Sequence, residues 1–316
     1  MKTEKLYLAV DSGGSKTVWI LLNKEGSALA RIKTGGLGAA SEGLLPVFET
    51  VKEAYTALLK FGTPSAIYLS LGGPNISEVE SALRSIFGED ISILVEREAC
   101  GNAILAAAKF MGCSATVMCG TGSVAVGDTK EGRKYSGGWG PVYGDGGSGG
   151  GMGSDALRAF LRSIDTKENL GGVASLFSPL TEDLDISSFS GRMELKRRAI
   201  GMMRHELAAL APKIYSLAQA GDGAALYLYK KSAREISELA LGVSESSEDF
   251  CVLLCGGFFT DKPILLDLCE EYFAKSSKAK LKYEPKFSPI VAAQMAALSL
   301  GDVKITNELF TKLLNN

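Results

Sequence analysis

The sequence predicts an α/β protein built from two halves of one design, and three observations carry that expectation. Short apolar runs of strand length alternate with longer segments whose apolar residues recur at helical spacing. A frame of strand, glycine-rich turn, strand, Lys-Glu-Gly turn and strand opens the chain and begins again at residue 115. No long Pro/Ser-rich linker separates the halves, so they are joined closely, and a cleft between them is the expected ligand site. At 316 residues the chain has the length of about two domains of roughly 150 residues each.

In the first half, Leu6-Tyr-Leu-Ala-Val-Asp11 and Val18-Trp-Ile-Leu-Leu22 read as strands, and Asn23-Lys-Glu-Gly26 turns into a third, Ser27 to Lys33. Apolar positions 44, 47, 48, 51, 55, 58 and 59 predict a helix within Ser41–Lys60. Ile67 to Leu71 is a strand ending at Gly72-Gly73, and Ser77-x-x-Glu80 matches a capping box opening a helix to about Phe87. Ile91 to Val95 is a fifth strand, followed by a helix from Glu98 to Met111. The frame restarts with Ala115 to Cys119, the turn Gly120-Thr-Gly-Ser123, the strand Val124 to Val126 and the turn Thr129-Lys-Glu-Gly132. Residues 192–243 are helix-rich with a break at Gly221-Asp-Gly223. Val252 to Cys255 then meets Gly256-Gly257, and Ser288-Pro289 opens a helix to residue 300.

Composition narrows the chemistry. With 46% hydrophobic and 22% charged residues the chain is ordinary globular protein. Lys and Arg number 34 against 36 for Asp and Glu, so the basic excess of a nucleic-acid binder is missing. No apolar run approaches the roughly 20 residues that span a bilayer, and Leu6 to Val10 is too short for a signal-peptide core. The expected setting is the cytoplasm, away from membranes. The one histidine, His205, lies in a helix-like stretch and reads as helical surface. The six cysteines (100, 113, 119, 251, 255 and 269) form no C-x-x-C pair, which leaves zinc and iron–sulfur frameworks little support and predicts reduced, mostly buried thiols.

Glycine is the surplus, 37 residues gathered in clusters. A strand that ends in a tight turn of small residues lets backbone N–H groups converge on an anion. Asp11 stands at such a strand end, ahead of Gly13, Gly14, Ser15, Lys16 and Thr17; Gly120, Thr121, Gly122 and Ser123 form a second turn of the kind. Ordinary β-hairpins use the same residues, but two such turns in matching places of a repeated frame point to one nucleotide whose phosphates both would hold. Asp11 would then hold Mg²⁺ through water. No Gly-Lys pair exists to make a P-loop. A dinucleotide fingerprint does match at Gly144-x-Gly146-x-x-Gly149, but Trp139 to Tyr143 before it is too short and broken to be a central strand. Seven glycines fall in the ten residues from Gly144 to Gly153, which predicts a flexible loop. Trp139 just before that stretch and Asp145 within it also suit a sugar, one as a face for the ring and the other as an acceptor for hydroxyls.

Asp11-x-Gly-Gly-Ser-Lys-Thr17, Gly120-Thr-Gly-Ser123, Gly137-Gly-Trp-Gly140 with Gly144-Asp-x-Gly-Ser-Gly149, and Cys255-Gly-Gly257 stand in an order and spacing that resemble the actin-like ATPase superfamily. Within it they resemble the BadF/BadG/BcrA/BcrD-type ATPases, a family that includes N-acetylglucosamine kinase. The resemblance implies two ribonuclease-H-like domains facing a central cleft, residues 1–117 joined by C-terminal helices 290–316, and residues 118–289. It implies an ATP-dependent amino-sugar kinase that transfers the γ-phosphoryl group to a sugar hydroxyl, the 6-OH of N-acetylglucosamine, N-acetylmuramic acid or a related sugar. ATP and Mg²⁺ are the implied cofactors, with Gly256 and Gly257 near the adenosine, Glu98 as general base, and Gly73, Trp139, Gly140 and Asp145 on the sugar. A homodimer is the implied assembly.

The chain departs from the family pattern in several places. Ser12 replaces the usual Gly and Ser15 the usual Thr, while Glu98 replaces an Asp, with Glu96 as the fallback acid. Gly146 stands where a Glu is usual, and Gly36-Leu-Gly-Ala-Ala40 lacks an Asn that touches the sugar, which makes room for a substituent such as a lactyl ether. Two other readings fit the same motifs. One is a nucleotide- and sugar-binding sensor without catalysis. The other is an activator of a 2-hydroxyacyl-CoA dehydratase, for which Cys113 and Cys119 are the nearest cluster ligands.

Overall fold

Two five-stranded sheets with one strand plan organise the chain. The structure, a computed structural model, describes residues 5–13, 16–37, 44–73, 75–97 and 102–316. It divides into two units, Met1–Ser114 with Glu284–Asn316, and Ala115–Tyr283.

The sheet of the first unit comprises β1 (Leu6–Ser12), β2 (Thr17–Asn23), β3 (Ala28–Thr34), β4 (Ala66–Leu71) and β5 (Ser92–Arg97), in the order β3-β2-β1-β4-β5. The first three strands form an antiparallel meander, and β4 and β5 run parallel to β1. The Lys-Glu-Gly turn closes because Asn23 Oδ1 accepts from the Ser27 N–H at 2.9 Å while Gly26 takes a positive φ of 73°. Central strands covered on both faces read as continuous apolar runs, which is why Leu6 to Val10 shows no alternation. Leu8, Val10, Trp19, Leu21, Ile67 and Leu69 pack in one core with Val47, Val51, Val79 and Leu83 of the helices Leu44–Leu58 and Ile76–Phe87.

The helix Pro289–Leu300 packs on β1 and β4 and against the helix Asn102–Phe110, although it lies far along the chain. It carries no single apolar stripe: Ile290 to Met295, Ala297 and Leu298 are all buried. Such all-round apolarity marks a helix enclosed by protein. The capping box expected at Ser77 does not form. The helix already starts at Ile76, Ser77 donates to Glu78, and Glu80 is paired with Arg84 one turn on. An i,i+4 ion pair has taken the carboxylate that a capping box needs.

The second unit repeats the plan with β6 (Ala115–Cys119), β7 (Ser123–Thr129), β8 (Gly132–Gly137), β9 (Cys251–Cys255) and β10 (Lys280–Tyr283), in the order β10-β9-β6-β7-β8. Strand directions match the first sheet one for one. The two sheets are those of a pair of ribonuclease-H-like domains, and the repeated frame in the sequence is this repeated sheet. β10 completes the symmetry although no sequence signal singled it out. Between β8 and β9 lies the helical middle, including Phe189–Gly201, Ala211–Gln219 and Gly223–Val243. The break at Gly221-Asp-Gly223 is a helix start: Asp222 caps Gly223–Val243 by accepting from the Ala225 N–H at 2.9 Å. The glycine-rich stretch is not a loop throughout, since Gly149 opens an 18-residue helix, Gly149–Thr166.

Because Leu298 is fully buried beneath the first sheet, Leu298→Ala is expected to cost about 2–4 kcal/mol. Urea unfolding should show a lower midpoint with an unchanged slope; a shift under half a kcal/mol would mean that this helix is not part of the core.

Candidate active site

Asp11 is the penultimate residue of β1, and its Oδ1 is buried with no hydrogen-bond partner among the described residues. Burial pushes its carboxyl up to about 6, opposed only in part by the charge of Lys16. The turn after it is held from beneath. Ser12 and Thr17, both fully buried, share a hydrogen bond of 2.7 Å between their hydroxyls. Thr17 donates to Gly35 O at 2.7 Å, and Ser12 Oγ accepts from the Leu37 N–H at 3.0 Å. The Thr17 hydroxyl, expected at a phosphate, is thus engaged in tying the turn to the end of β3. Gly13 donates to Lys16 O at 3.0 Å, and the Lys16 side chain is exposed. Gly14, Ser15 and Glu98 lie outside the described residues, as do Cys100 and part of the Gly36–Ala40 segment.

Register places Asp11, Ser70 and Glu96 in one row across β1, β4 and β5. Glu96, the fallback acid, accepts from the Tyr68 hydroxyl at 2.7 Å and from Asn102 at 3.3 Å. Burial and that hydrogen bond push the Tyr68 phenol up, so it stays a donor to Glu96. Gly73 follows the end of β4, where the Gly72 N–H donates to Ser12 O at 2.7 Å.

In the second unit the turn Gly120–Ser123 joins β6 to β7 and bears directly on the start of the helix Gly149–Thr166. The N–H groups of Gly149 and Gly150 donate to Gly120 O and Thr121 O at 2.9 and 3.0 Å. A Cβ on Gly150 would sit 2.5 Å from Thr121 O, so backbone meets backbone there and no side chain fits. Ser148 caps the helix by accepting from the Gly151 N–H at 3.0 Å, and its own hydroxyl donates to Asp145 O at 2.6 Å. Ahead of this helix stands the short helix Gly140–Tyr143 rather than a strand, so the Gly144-x-Gly146-x-x-Gly149 match is not a dinucleotide fold.

Asp145 is only 5% exposed and takes a positive φ of 64°. Its Oδ1 accepts from the Ser123 N–H at 3.3 Å, and its Oδ2 is paired with Arg204. Trp139 projects 78% exposed beside Gly140, with Val142 and Tyr143 also exposed. Gly256 has a φ of 107° and turns tightly under Cys119, where the Phe258 N–H donates to Cys119 O at 3.0 Å; nothing lies within 4 Å of a Cβ placed on Gly257. Sequence reading missed Arg204, 59 positions from its partner, and the Tyr68–Glu96 bond, which only strand register brings together. His205 is exposed on the short helix Arg204–Ala208, as expected of helical surface. Cys119, Cys255 and Cys269 are fully buried, and burial pushes the Cys119 and Cys269 thiols up.

The BadF/BadG/BcrA/BcrD ATPase family model matches residues 8–297. The chain belongs to that family. Among its relatives is an N-acetyl-D-glucosamine kinase of Dictyostelium discoideum, 26% identical over 319 residues, covering 94% of this chain and 99% of the relative. An N-acetylmuramic acid/N-acetylglucosamine kinase of Clostridium acetobutylicum is 27% identical over 308 residues, covering 92% and 98%. A proposed N-acetylglucosamine kinase from Chromobacterium violaceum, known as a crystal structure, shares the fold at a TM-score of 0.73 and 20% identity, covering 92% of this chain and 98% of that one. The BadF/BadG/BcrA/BcrD assignment thus spans both sheets and both glycine turns.

A carboxyl whose folded value lies above its unfolded one binds its proton more tightly when folded, so it lowers stability as pH rises through the interval. Asp11, ordinarily near 3.8 and here about 6, withdraws roughly 1–3 kcal/mol between pH 4 and 6. Asp11→Asn is therefore expected to match the wild type near pH 3.5 and exceed it in stability at pH 7, in metal-free buffer. Denaturant melts at the two pH values check this; equal stability at pH 7 would mean that the Asp11 carboxylate is solvated.

Proposed function

We propose that this chain is an ATP-dependent amino-sugar kinase that phosphorylates the primary hydroxyl of N-acetylglucosamine, N-acetylmuramic acid or a close relative. The observation that carries the reading is the buried Asp11 Oδ1, which has no partner among the described residues and stands at the end of β1, in a member of a family of ATPases. Support for the substrate class comes from the two curated relatives, which match over nearly their whole length.

Asp11 fits a divalent cation. An orphaned carboxylate oxygen with a raised proton affinity gains when a positive charge is held nearby, and Mg²⁺ bound through water supplies one. When bound, Mg²⁺ would neutralise charge on the phosphates. In the proposed assignment Gly13, Gly14, Ser15, Lys16 and Thr17 form one phosphate turn and Gly120, Thr121, Gly122 and Ser123 the other, with Gly256 and Gly257 at the adenosine. The sugar lies against Gly73, Trp139, Gly140 and Asp145. The Glu98 carboxylate takes the proton of the sugar hydroxyl as its oxygen bonds to the γ-phosphorus and the bond to the bridging oxygen of ADP breaks. Glu96, fixed by Tyr68 and Asn102, is the acid to which that role falls if Glu98 does not fill it.

A sensor reading keeps one specific observation in its favour: both oxygens of Asp145 are engaged within the protein. The dehydratase-activator reading is disfavoured because the Cys119 thiol is enclosed in the core, where desolvation favours the neutral form. The proposal includes a homodimer working in the cytoplasm. No helix among the described residues is long and apolar enough to cross a membrane.

ADP release with Mg-ATP across amino sugars and hexoses tests the reading. Release should rise with one sugar, fall by about 10²-fold or more in Glu98→Gln, and stay near wild type in Glu96→Gln. No sugar-dependent release would move the sensor reading ahead. Loss in Glu96→Gln alone would transfer the base to that residue.

A further inference from the structure

The turn Gly120–Ser123 carries a cation that no motif announces. Arg204 opens the short helix Arg204–Ala208, which is capped at its start and packed on the helix Gly149–Thr166. Glu206 accepts from the Met203 N–H at 2.6 Å, and the backbone at Ala208 lies 3.4 Å from a Cβ placed on Gly149. From this anchored base the guanidinium reaches over the turn. A Cβ on Gly122 would collide with Arg204 Nη2 and would come within 2.6 Å of Asp145 Oδ1. Gly122 is therefore bare because an ion pair occupies the space beside it.

The pair is unsymmetrical. The Asp145 side chain is 5% exposed and the Arg204 side chain 44%, so the anion is the interior member and the cation faces outward. Asp145 is further held by the Ser123 N–H. Arg204 has no other hydrogen bond or ion pair among the described residues. On the same turn the N–H groups of Thr121 and Gly122 donate to nothing among the described residues, whereas those of Gly120 and Ser123 are used. Two unspent backbone donors next to a half-exposed guanidinium form a composite that suits a tetrahedral polyanion, for which a planar fork of N–H groups is the matched side chain.

We propose that Arg204 is a phosphate ligand of the nucleotide at the turn Gly120–Ser123, and that Asp145 holds it in readiness. This rests on the nucleotide-binding part of the proposed function and not on its sugar. As the phosphate arrives, the guanidinium gives up its hydrogen bond to Asp145 Oδ2 in part or whole and donates to a phosphate oxygen instead. No proton moves and no covalent bond changes. Asp145 competes with the phosphate for the guanidinium, so the two residues affect nucleotide affinity in opposite directions. A pair that merely stapled the short helix to the turn would give effects of one sign, or none.

Calorimetric titration of the full chain with Mg-ADP, and separately with adenosine, distinguishes these outcomes. Arg204→Ala is expected to weaken Mg-ADP by about tenfold or more, the range for losing a charged hydrogen bond, with adenosine unchanged. Arg204→Lys, keeping the charge and losing the fork, should fall between. Asp145→Asn, which frees the guanidinium, should tighten Mg-ADP several-fold. Should Arg204→Ala misfold because Asp145 is left buried and unpaired, the double variant Arg204→Ala/Asp145→Asn removes that charge and must show the same tenfold loss. Wild-type affinity in Arg204→Ala, or equal weakening by Arg204→Ala and Asp145→Asn, overturns the proposal. If the wild type binds neither Mg-ADP nor adenosine, the proposal and the kinase reading fall together. If the opposed shifts occur and no sugar is phosphorylated, only the kinase reading falls.

Discussion

Two stretches of backbone can approach to hydrogen-bonding distance outside a sheet only where side chains are missing from the contact. The second unit depends on one such approach. The first turn of the helix Gly149–Thr166 lies against the turn Gly120–Ser123 on one side and against the short helix Arg204–Ala208 on the other. Gly149, Gly150 and Gly153 meet backbone atoms of residues 120, 121 and 207 where any larger residue would stand. Glycine lowers helix propensity by about 1 kcal/mol per residue, so four glycines within the first five helical positions oppose helix formation strongly. The opposition is overcome by the Ser148 cap and by N–H groups of the first turn that donate to Gly120 O and Thr121 O. The same contact fixes the turn from behind and leaves Thr121 and Gly122 N–H pointing elsewhere. The turn Gly120–Ser123 and the glycine-rich helix start are thus one feature.

The two units share a strand plan but not its chemistry. Register makes Asp11 the counterpart of Met118, since Asp11 pairs with Val18 and Met118 with Val124 one step before the turn. Ser12 likewise corresponds to Cys119. The first unit thereby carries a carboxylate and a hydroxyl where the second carries a thioether and a thiol. The second unit recovers charge from outside its sheet, through Asp145 and Arg204. Its turn is buttressed by a helix N-terminus, beside which Glu235 accepts from the Gly147 N–H at 2.8 Å and pairs with Lys231 at 3.4 Å.

Most of the sheet architecture was legible because it depends on local pattern. Apolar runs, Lys-Glu-Gly turns and Gly-Gly strand ends mark β1 to β4 and their repeats, and the repeat itself announced two similar units. The signals failed where a distant residue decides the local outcome. Gly144 to Gly153 reads as loop by propensity, and becomes helix from Gly149 only because another turn accepts its N–H groups. Ser77-x-x-Glu80 reads as a cap, and fails because Arg84 claims the carboxylate. β10, with two exposed lysines among four residues, is strand chiefly because β9 offers it an edge. The turn at Gly120–Ser123 and the strand end at Asp11 were legible as backbone features, while the Asp145–Arg204 and Tyr68–Glu96 pairs were not, since each joins residues that only the folded chain brings together.

Asp11 shows how such a site resists the logic of folding. An ionised carboxyl gains little from burial beside apolar strands, and its raised proton affinity measures that penalty. The charge of Lys16 relieves it only in part. The hydroxyls of Ser12 and Thr17 are committed to each other, to Gly35 O and to the Leu37 N–H. Those bonds tie down the backbone around Asp11, and its Oδ1 has no donor among the described residues. A fold arranged for stability alone would have turned one of these hydroxyls onto the carboxylate, or placed an apolar residue there, as the second unit does with Met118. The charge of Lys16 offsets only part of that penalty, and a further positive charge held near Asp11 would lower it.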